Sequence, residues 1–189
     1  MFLRKGINMG SRMIFNLFLL AIVSISSIGC SSVRNNVDSE AEKRISQMQD
    51  SIANIHANEA MRARKFVIMA DRVFFGPSGR VFSNPRGETN FIYMVGDEGV
   101  VQFAFENGHL GLNGLGGITL KGRVSTPVIK EDKKGNTLMR YTIYDTGVSA
   151  TIDVTLYKGS NYANAYVSGN FSSGSLNIYG KMIPYEGNK

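Results

Sequence analysis

The residues best suited to bind a ligand lie in a glycine-rich stretch between residues 107 and 117. Five of the ten residues from Gly108 to Gly117 are glycine. Backbone amides, together with an imidazole and a carboxamide, are groups that orient small polar ligands. The candidate ligand residues are His109, Asn113, Gly114, Gly116 and Gly117.

The same stretch also has a purely structural interpretation. Glycine permits positive φ and close backbone contact, and the three leucines at positions 110, 112 and 115 would then fill the core. A P-loop is excluded because it needs a lysine at the start of a helix, and Lys121 lies in a predicted strand. A dinucleotide fingerprint is excluded because no helix follows. A ligand loop and a tight connection both remain open.

No combination of residues indicates catalysis. His109 is a candidate base, but no nucleophile motif accompanies it, and His56 lies beside the apolar side of a predicted helix. Two histidines and one cysteine cannot supply the usual four soft ligands of a structural zinc site. The paired acids at 97–98 and 131–132 fall in predicted turns. We expect no enzyme activity, no cofactor and no metal.

The single cysteine, Cys30, ends an export signal. Three basic residues precede an apolar run over 13–25, and small residues follow it, which is the order of a secretory signal over 1–29. That run is shorter than a membrane-spanning helix requires. Residues 27–30 resemble the bacterial lipobox, whose cysteine receives a diacylglycerol. The resemblance implies a lipid anchor at Cys30, and acyl chains of this kind hold a protein on a membrane.

The residue after the cysteine predicts the destination. Ser31 stands where an aspartate would imply retention in the inner membrane, so the resemblance implies delivery to the outer membrane. Residues 31–35 lack the acidic cluster that sends some lipoproteins to the cell surface. We therefore expect the chain to face the periplasm.

The charge balance argues against nucleic-acid binding. The chain has a formal charge of +6, but the signal carries three of the 21 basic residues and none of the 15 acidic ones. The remaining 18 basic residues exceed the 15 acidic residues by only three, and the two signs alternate along the chain. So small a surplus does not support recognition of a phosphate backbone.

One helix is predicted, over residues 39–64, after a polar tether at 30–38. Ser39 and Glu42 form a capping-box pattern at its start. Its large apolar residues recur at intervals of three, four and three, as on one helical face: Ile45, Met48, Ile52 and Ile55. The opposite face is polar and includes Asn54 and Asn58. The apolar stripe predicts packing against a sheet or a second helix; a stalk helix is the alternative.

The rest of the chain, residues 65–185, alternates with the period of strands. All 18 glycines that follow the signal lie after Phe75. Nine strands are predicted: 66–75, 91–95, 100–105, 118–125, 128–131, 138–144, 148–156, 163–167 and 176–183. No helix-length crossover separates neighbours, so the strands should form an antiparallel meander. We expect an α+β, mainly β fold of about eight or nine strands, as a curled sheet, a sandwich or a partly open barrel.

Several segments resemble a family of Bacteroidota lipoproteins, the domain of unknown function 4251. The similarity is carried by residues 64–72, 90–94 and 100–103, and above all by 113–119 with Gly122. It extends over roughly residues 60–184. The resemblance implies an exported, lipid-anchored β-rich domain, and it implies no catalytic residues or cofactor.

The sequence favours a non-catalytic binding module on the envelope, with a protein or glycan partner of unknown identity. The alternative is a carrier of a small ligand, with a pocket in the curled sheet near loop 107–117. Four tyrosines could form a stacking surface or pack across strands: Tyr141, Tyr144, Tyr157 and Tyr162.

Overall fold

The computed structural model describes residues 32–75, 80–83, 89–104, 117–170 and 175–187. Packing divides the chain into two compact units, Met1–Arg44 and Ile45–Lys189. The described part of the first unit is helical, and Arg44 pairs there with Glu40 at 3.7 Å. The second unit contains the rest of that helix and the strands.

The described residues contain ten strands. They are β1 (Lys65–Phe75), β2 (Arg80–Ser83), β3 (Phe91–Val95), β4 (Glu98–Ala104), β5 (Gly117–Val124), β6 (Val128–Glu131), β7 (Thr137–Asp145), β8 (Val148–Leu156), β9 (Tyr162–Gly169) and β10 (Ser175–Pro184). The nine predicted strands are all present, and β2 is the addition. Its two large apolar residues, Val81 and Phe82, are adjacent in sequence. The period of two that marks a strand is therefore absent.

Eight of these strands form a closed antiparallel barrel. The order is β10-β9-β8-β7-β5-β4-β3-β1, and β1 pairs back to β10 along nearly its whole length. β2 pairs with the second half of β1, and β6 with the first half of β7, outside the closed path. The predicted α+β, mainly β class and the antiparallel meander are confirmed, and the curled sheet closes completely.

The inner face of the barrel is filled by apolar side chains. In β8 the predicted alternation is confirmed by four buried residues: Ala150, Ile152, Val154 and Leu156. Buried residues of the other barrel strands join them in one hydrophobic cluster. Burial of apolar surface of this extent is the main stabilising contribution to the fold.

The helix α1 spans Ser32–Arg62 and begins earlier than predicted. Residues 32–38, predicted as a tether, are helical, and the predicted capping pair Ser39 and Glu42 lies inside the helix. That segment contains no glycine or proline, so it has no strong helix breaker. Just past the helix end, Arg64 adopts a left-handed φ of 56°, a conformation common at helix C-termini.

The apolar stripe of α1 is exposed, so it does not pack against the sheet, which was one of the predicted alternatives. Its four large side chains remain between 49% and 65% exposed: Ile45, Met48, Ile52 and Ile55. The residues of α1 that join the core are instead Ala57, Ala60 and Met61, each at most 6% exposed. Two of these are alanines, whose small side chains let the helix backbone approach the barrel closely.

Two asparagines attach this part of α1 to the ends of strands. The Nδ2 of Asn54 donates to the carbonyl oxygens of Tyr157 at 2.9 Å and Ser160 at 2.6 Å, in the turn after β8. The hydroxyl of Thr137, at the start of β7, donates to Oδ1 of Asn58 at 2.6 Å. The predicted polar face of the helix thus contacts the barrel because it satisfies polar groups at the strand ends.

Tyr141 places a hydroxyl group in the apolar interior. Its side chain is 1% exposed, and its oxygen has no hydrogen-bond partner in the described part of the chain. Burial raises the pKa of Tyr141 well above the usual range for tyrosine. An unsatisfied buried hydroxyl destabilises a fold by about 1–3 kcal/mol.

We therefore expect Tyr141→Phe to increase the free energy of unfolding by about 1 kcal/mol, since it removes the unsatisfied group and keeps the ring. Urea denaturation of both proteins measures the change. A loss of stability in the variant would contradict this expectation, and it would indicate a hydrogen-bonded ligand or water beside Tyr141.

Candidate functional site

Most of the predicted site residues lie outside the described residues. These are Cys30, His109, Asn113, Gly114 and Gly116. The lipid anchor and the ligand loop therefore stay predictions. The described residue of the set is Gly117, the first residue of β5.

Gly117 has a structural role in the sheet. It pairs with Ala104 of β4, and a Cβ atom at position 117 would lie 2.5 Å from the carbonyl oxygen of Phe103. No side chain fits so close to a backbone oxygen, so the absence of a side chain is required there by strand pairing.

Two of the four paired acids, Asp97 and Asp132, lie in turns as predicted, whereas Glu98 and Glu131 lie at strand ends. Asp132 accepts hydrogen bonds from the backbone N–H groups of Asn136 and Lys134, and the bonds from Asn136 make the largest contribution to lowering the pKa of Asp132. Asp97 lies in the turn between β3 and β4, whereas Glu98 is the first residue of β4. Within the described ranges, no cluster of three His, Cys, Asp or Glu residues has the arrangement of a metal site.

The most unusual surface among the described residues is aromatic. It lies on the outside of four neighbouring strands, β9, β10, β1 and β3, and continues just past the end of β10. We call it the tyrosine face and define it by seven rings: Tyr162, Tyr166, Tyr179, Phe74, Phe91, Tyr93 and Tyr185. Clusters of aromatic side chains on a protein surface are typical of binding sites.

Tyr179 is the centre of the first half of the tyrosine face. The guanidinium carbon of Arg72, its partner across β1 and β10, lies 5.3 Å from the ring centroid. Phe74 meets the same ring edge to face, with the two centroids 5.6 Å apart. Cation–π and edge-to-face contacts both fix the orientation of exposed rings.

Tyr162 lies beside this group and is 40% exposed. The ammonium group of Lys181 lies 5.8 Å from its ring centroid. Its hydroxyl donates to Asp71, which raises the pKa of Tyr162. Asp71 is the extra residue of a β-bulge in β1, and bulges redirect side chains in this way.

The second half of the tyrosine face is a stack of three rings. Tyr93 stacks between Phe91, at a centroid distance of 6.1 Å, and Tyr185, at 5.6 Å. The Tyr93 hydroxyl donates to Glu98 at 2.7 Å, and Lys121 pairs with the same carboxylate at 3.1 Å. The stack is therefore anchored at one side by an ion pair.

These contacts decide what the surface offers a partner. The ring faces of Tyr179, Tyr162 and Tyr93 are each in contact with a cation or a second ring. Tyrosine rings and cationic side chains therefore lie side by side on this surface. Such groups suit the mixed polar and apolar surface of a protein better than the flat face of a sugar ring.

Sequence reasoning identified this surface only in part. Of the four tyrosines singled out above, Tyr141 lies in the core, and Tyr144 lies on β7, which is not one of the four strands of the tyrosine face. The sequence pattern that predicts the tyrosine face is the alternation with a period of two residues in β9 and β10. There, Tyr162, Tyr166 and Tyr179 alternate with buried residues.

Tyr93 gives the stack a pH dependence. Burial makes the largest contribution, followed by Glu98, and together they raise the pKa of Tyr93 to about 12. In the unfolded chain a tyrosine ionises near pH ~10. The raised value means that the folded state favours the neutral phenol, so its stabilising contribution is complete below about pH 10 and is lost between about pH 10 and 12.

We expect ultraviolet titration to show a late-ionising phenol that disappears in Tyr93→Phe. Glu98→Gln serves as the control, because removing the carboxylate charge should lower the pKa of Tyr93 without removing the phenol. If the phenol lost from the titration curve of Tyr93→Phe, compared with the wild type, were one that ionises at pH ~10, the raised pKa of Tyr93 would be contradicted.

A family comparison identifies the domain. The family model for a domain of unknown function (DUF4251) matches residues 49–182. The chain belongs to this family. The match begins inside α1 and ends two residues before the end of β10, so the DUF4251 region includes nearly the whole barrel and the part of α1 that packs on it. The resemblance inferred from the sequence is confirmed.

A solved structure supports the same conclusion. The crystal structure of a DUF4251 family protein from Bacteroides eggerthii DSM 20697 is similar to this chain, with 34% sequence identity and a TM-score of 0.63. The similarity covers 73% of this chain and 91% of that one. No curated protein matches the chain. Membership of the DUF4251 family therefore establishes the fold and the evolutionary relationship. The activity of the chain has to be inferred from the residues on the surface of the barrel.

The DUF4251 barrel also carries an open cleft of about 1200 Å³ beside the three-ring stack. It lies between the β3–β4 turn, the end of β5 and the β7–β8 turn, and its lining includes Glu98, Lys121, Arg123, Tyr144 and Asp145. Acidic and basic side chains are mixed in this lining. The cleft therefore offers no charge preference that would select one class of ligand.

Proposed function

We propose that this chain is a lipid-anchored envelope protein that binds a protein partner through the tyrosine face and catalyses no reaction. The observation that carries the proposal is the cluster around the half-buried Tyr179, in which Arg72 and Phe74 orient the ring. Tyrosine and arginine are enriched where protein interfaces gain most of their energy. A glycan partner is less well supported, because a cation or a second ring already lies against the rings of Tyr179, Tyr162 and Tyr93.

The anchoring part of the proposal rests on the sequence around Cys30. In this view the acylated cysteine holds the protein at the outer membrane, with the barrel in the periplasm. In the described part of the chain, no helical segment is both apolar and long enough to span a bilayer. Mass spectrometry of the protein from the membrane fraction should show acyl chains on Cys30, and an unmodified soluble protein would overturn the anchor.

The binding part is tested by chemical crosslinking in the intact envelope followed by purification of the chain. We expect Tyr162→Ser/Tyr179→Ser to reduce the yield of the main crosslinked protein at least tenfold, because a hot-spot residue contributes about 2 kcal/mol or more. The control is Val128→Ser, since Val128 is 52% exposed and lies on β6, outside both the tyrosine face and the cleft beside the three-ring stack.

Two outcomes would contradict this part of the proposal. Equal losses in the double variant and in the control would show that the tyrosine face is not the binding surface. Recovery of envelope glycan instead of protein, lost in the double variant, would establish the alternative partner.

A carrier of a small ligand is the second candidate, and the buried hydroxyl of Tyr141 favours it. An unpartnered hydroxyl in an apolar interior is the kind of group that orients an apolar ligand with one polar end. Against it, the interior of the described barrel is occupied by side chains. The stability of Tyr141→Phe, considered above, distinguishes an unpaired hydroxyl from one that has a partner.

A further inference from the structure

Four large apolar side chains of α1 have no partner in the described part of the chain. We call them the α1 stripe: Ile45, Met48, Ile52 and Ile55. All four belong to the second compact unit. A row of exposed isoleucine and methionine side chains on a folded domain is costly in water and marks a surface that becomes covered.

The spacing of the α1 stripe is that of a helix-to-helix seam. Its intervals of three, four and three residues place Ile45 and Ile52 at a positions and Met48 and Ile55 at d positions of a heptad. A stripe of only a and d residues is narrower than the apolar face of a helix that packs on a sheet. The α1 stripe therefore matches another narrow stripe better than a broad groove.

The arrangement of the helix leaves room for a second helix. At about 100° per residue, the α1 stripe falls roughly opposite the residues that contact the barrel, Ala57 and Met61. A helix that approaches the stripe therefore does not meet the barrel of the same chain. The e and g positions between the stripe residues are the uncharged Gln49 and Ser51. Two copies can meet there without repulsion between like charges.

The charge of the helix makes a membrane a poorer occupant. From residue 45 to residue 62, α1 has one basic residue, Arg62, against Asp50 and Glu59. Helices that lie on bilayers carry lysine and arginine along the polar face, which attract anionic lipids. This segment has no such attraction.

We propose that a second copy of this chain covers the α1 stripe, so that the protein forms a dimer through a short two-helix coiled coil. The seam runs over only residues 45–55, which is shorter than the three to four heptads typical of stable coiled coils. The dimer is therefore weak in solution, with a Kd of about 10–100 µM, because few side chains must offset the cost of association.

The test is sedimentation equilibrium of the full chain in density-matched detergent, from micromolar to millimolar concentration. We expect the wild-type chain to dimerise and Ile45→Glu/Ile52→Glu to bind at least 100-fold more weakly, since it replaces two apolar layers with opposed carboxylates. The control Ser46→Glu/Gln47→Glu adds the same charge at exposed positions beside the seam and should change Kd less than threefold. Circular dichroism melts should coincide for all three proteins, because the stripe residues contribute little to the folded monomer.

Three results would overturn the proposal. One is a wild-type chain that stays monomeric throughout the concentration range. Another is a dimer that both double variants form equally well. The third is a monomer that binds phosphatidylcholine vesicles and loses this binding in Ile45→Glu/Ile52→Glu, which would identify a membrane as the occupant.

Discussion

Gly180→Ala is expected to destabilise the protein by about 4 kcal/mol or more, a large part of the 5–15 kcal/mol that stabilises a typical domain. Gly180 lies in β10 opposite Ala70, next to the bulge of β1. A Cβ atom at position 180 would overlap the carbonyl oxygen of Met69 and lie 2.8 Å from its carbonyl carbon. Backbone atoms cannot rotate away as a side chain does, so β1 and β10 would have to separate.

The matched control is Gly147→Ala, in the turn between β7 and β8. Gly147 has a positive φ of 74°, but nothing lies within 4 Å of the position of its Cβ atom. Only the conformational penalty of a left-handed residue applies there, about 1–2 kcal/mol. Urea denaturation of both variants measures the difference. A Gly180→Ala protein as stable as Gly147→Ala would refute the close contact between β1 and β10.

A chain that starts at Lys65 is expected not to fold, whereas one that starts at Ile45 should be as stable as the complete protein. The shorter chain loses Met61 and the two alanines that α1 contributes to the core, together with the hydrogen bonds of Asn54 and Asn58. Apolar burial at about 25 cal/mol per Å² and about 1 kcal/mol per hydrogen bond amount to roughly 5 kcal/mol. That loss is comparable with the whole stability of many domains.

The chain that starts at Ile45 is the control, because it keeps the complete second unit. Thermal melts followed by circular dichroism compare the two truncated chains. A cooperative transition of the shorter chain at the temperature of the longer one would show that α1 is only a stalk, which is the alternative that the sequence left open.

Local pattern was sufficient to predict most strands of this fold. The alternation in β8 specifies a half-buried strand through the chemistry of its own residues, and that prediction is confirmed. The closure of the barrel depends on β1 meeting β10, which lie far apart in sequence. The hydrophobic periodicity of single strands contains no information about such a pairing, so the sequence did not distinguish a closed barrel from an open sheet.

The expectation that α1 packs on the sheet through its apolar stripe was wrong for a physical reason. Hydrophobic periodicity assumes that the most apolar face is buried, but Asn54 and Asn58 face the barrel because the strand ends there present carbonyl and hydroxyl groups. The two alanines on that face carry little hydropathy, although they are fully or nearly buried. A helix that packs on polar strand ends cannot be oriented by its apolar stripe alone.

The candidate site was predictable only in its composition. The tyrosines left a stacking surface and packing across strands both open, and the assembly of Arg72, Phe74 and Tyr179 requires knowing that β1 lies beside β10. Tyr93 and Tyr185 likewise meet only because the residues after β10 pass next to β3. The part of the site that sequence reasoning missed is therefore the part formed by contacts between segments that are distant in sequence.

The pairing of β1 with β10 also determines when the protein can fold. The first barrel strand must wait for the last one, so no closed barrel exists until β10 has been synthesised. Until then the growing sheet has two free edges that can pair with other chains. Contacts between such distant segments also slow folding. A holding chaperone would protect the incomplete chain during this interval.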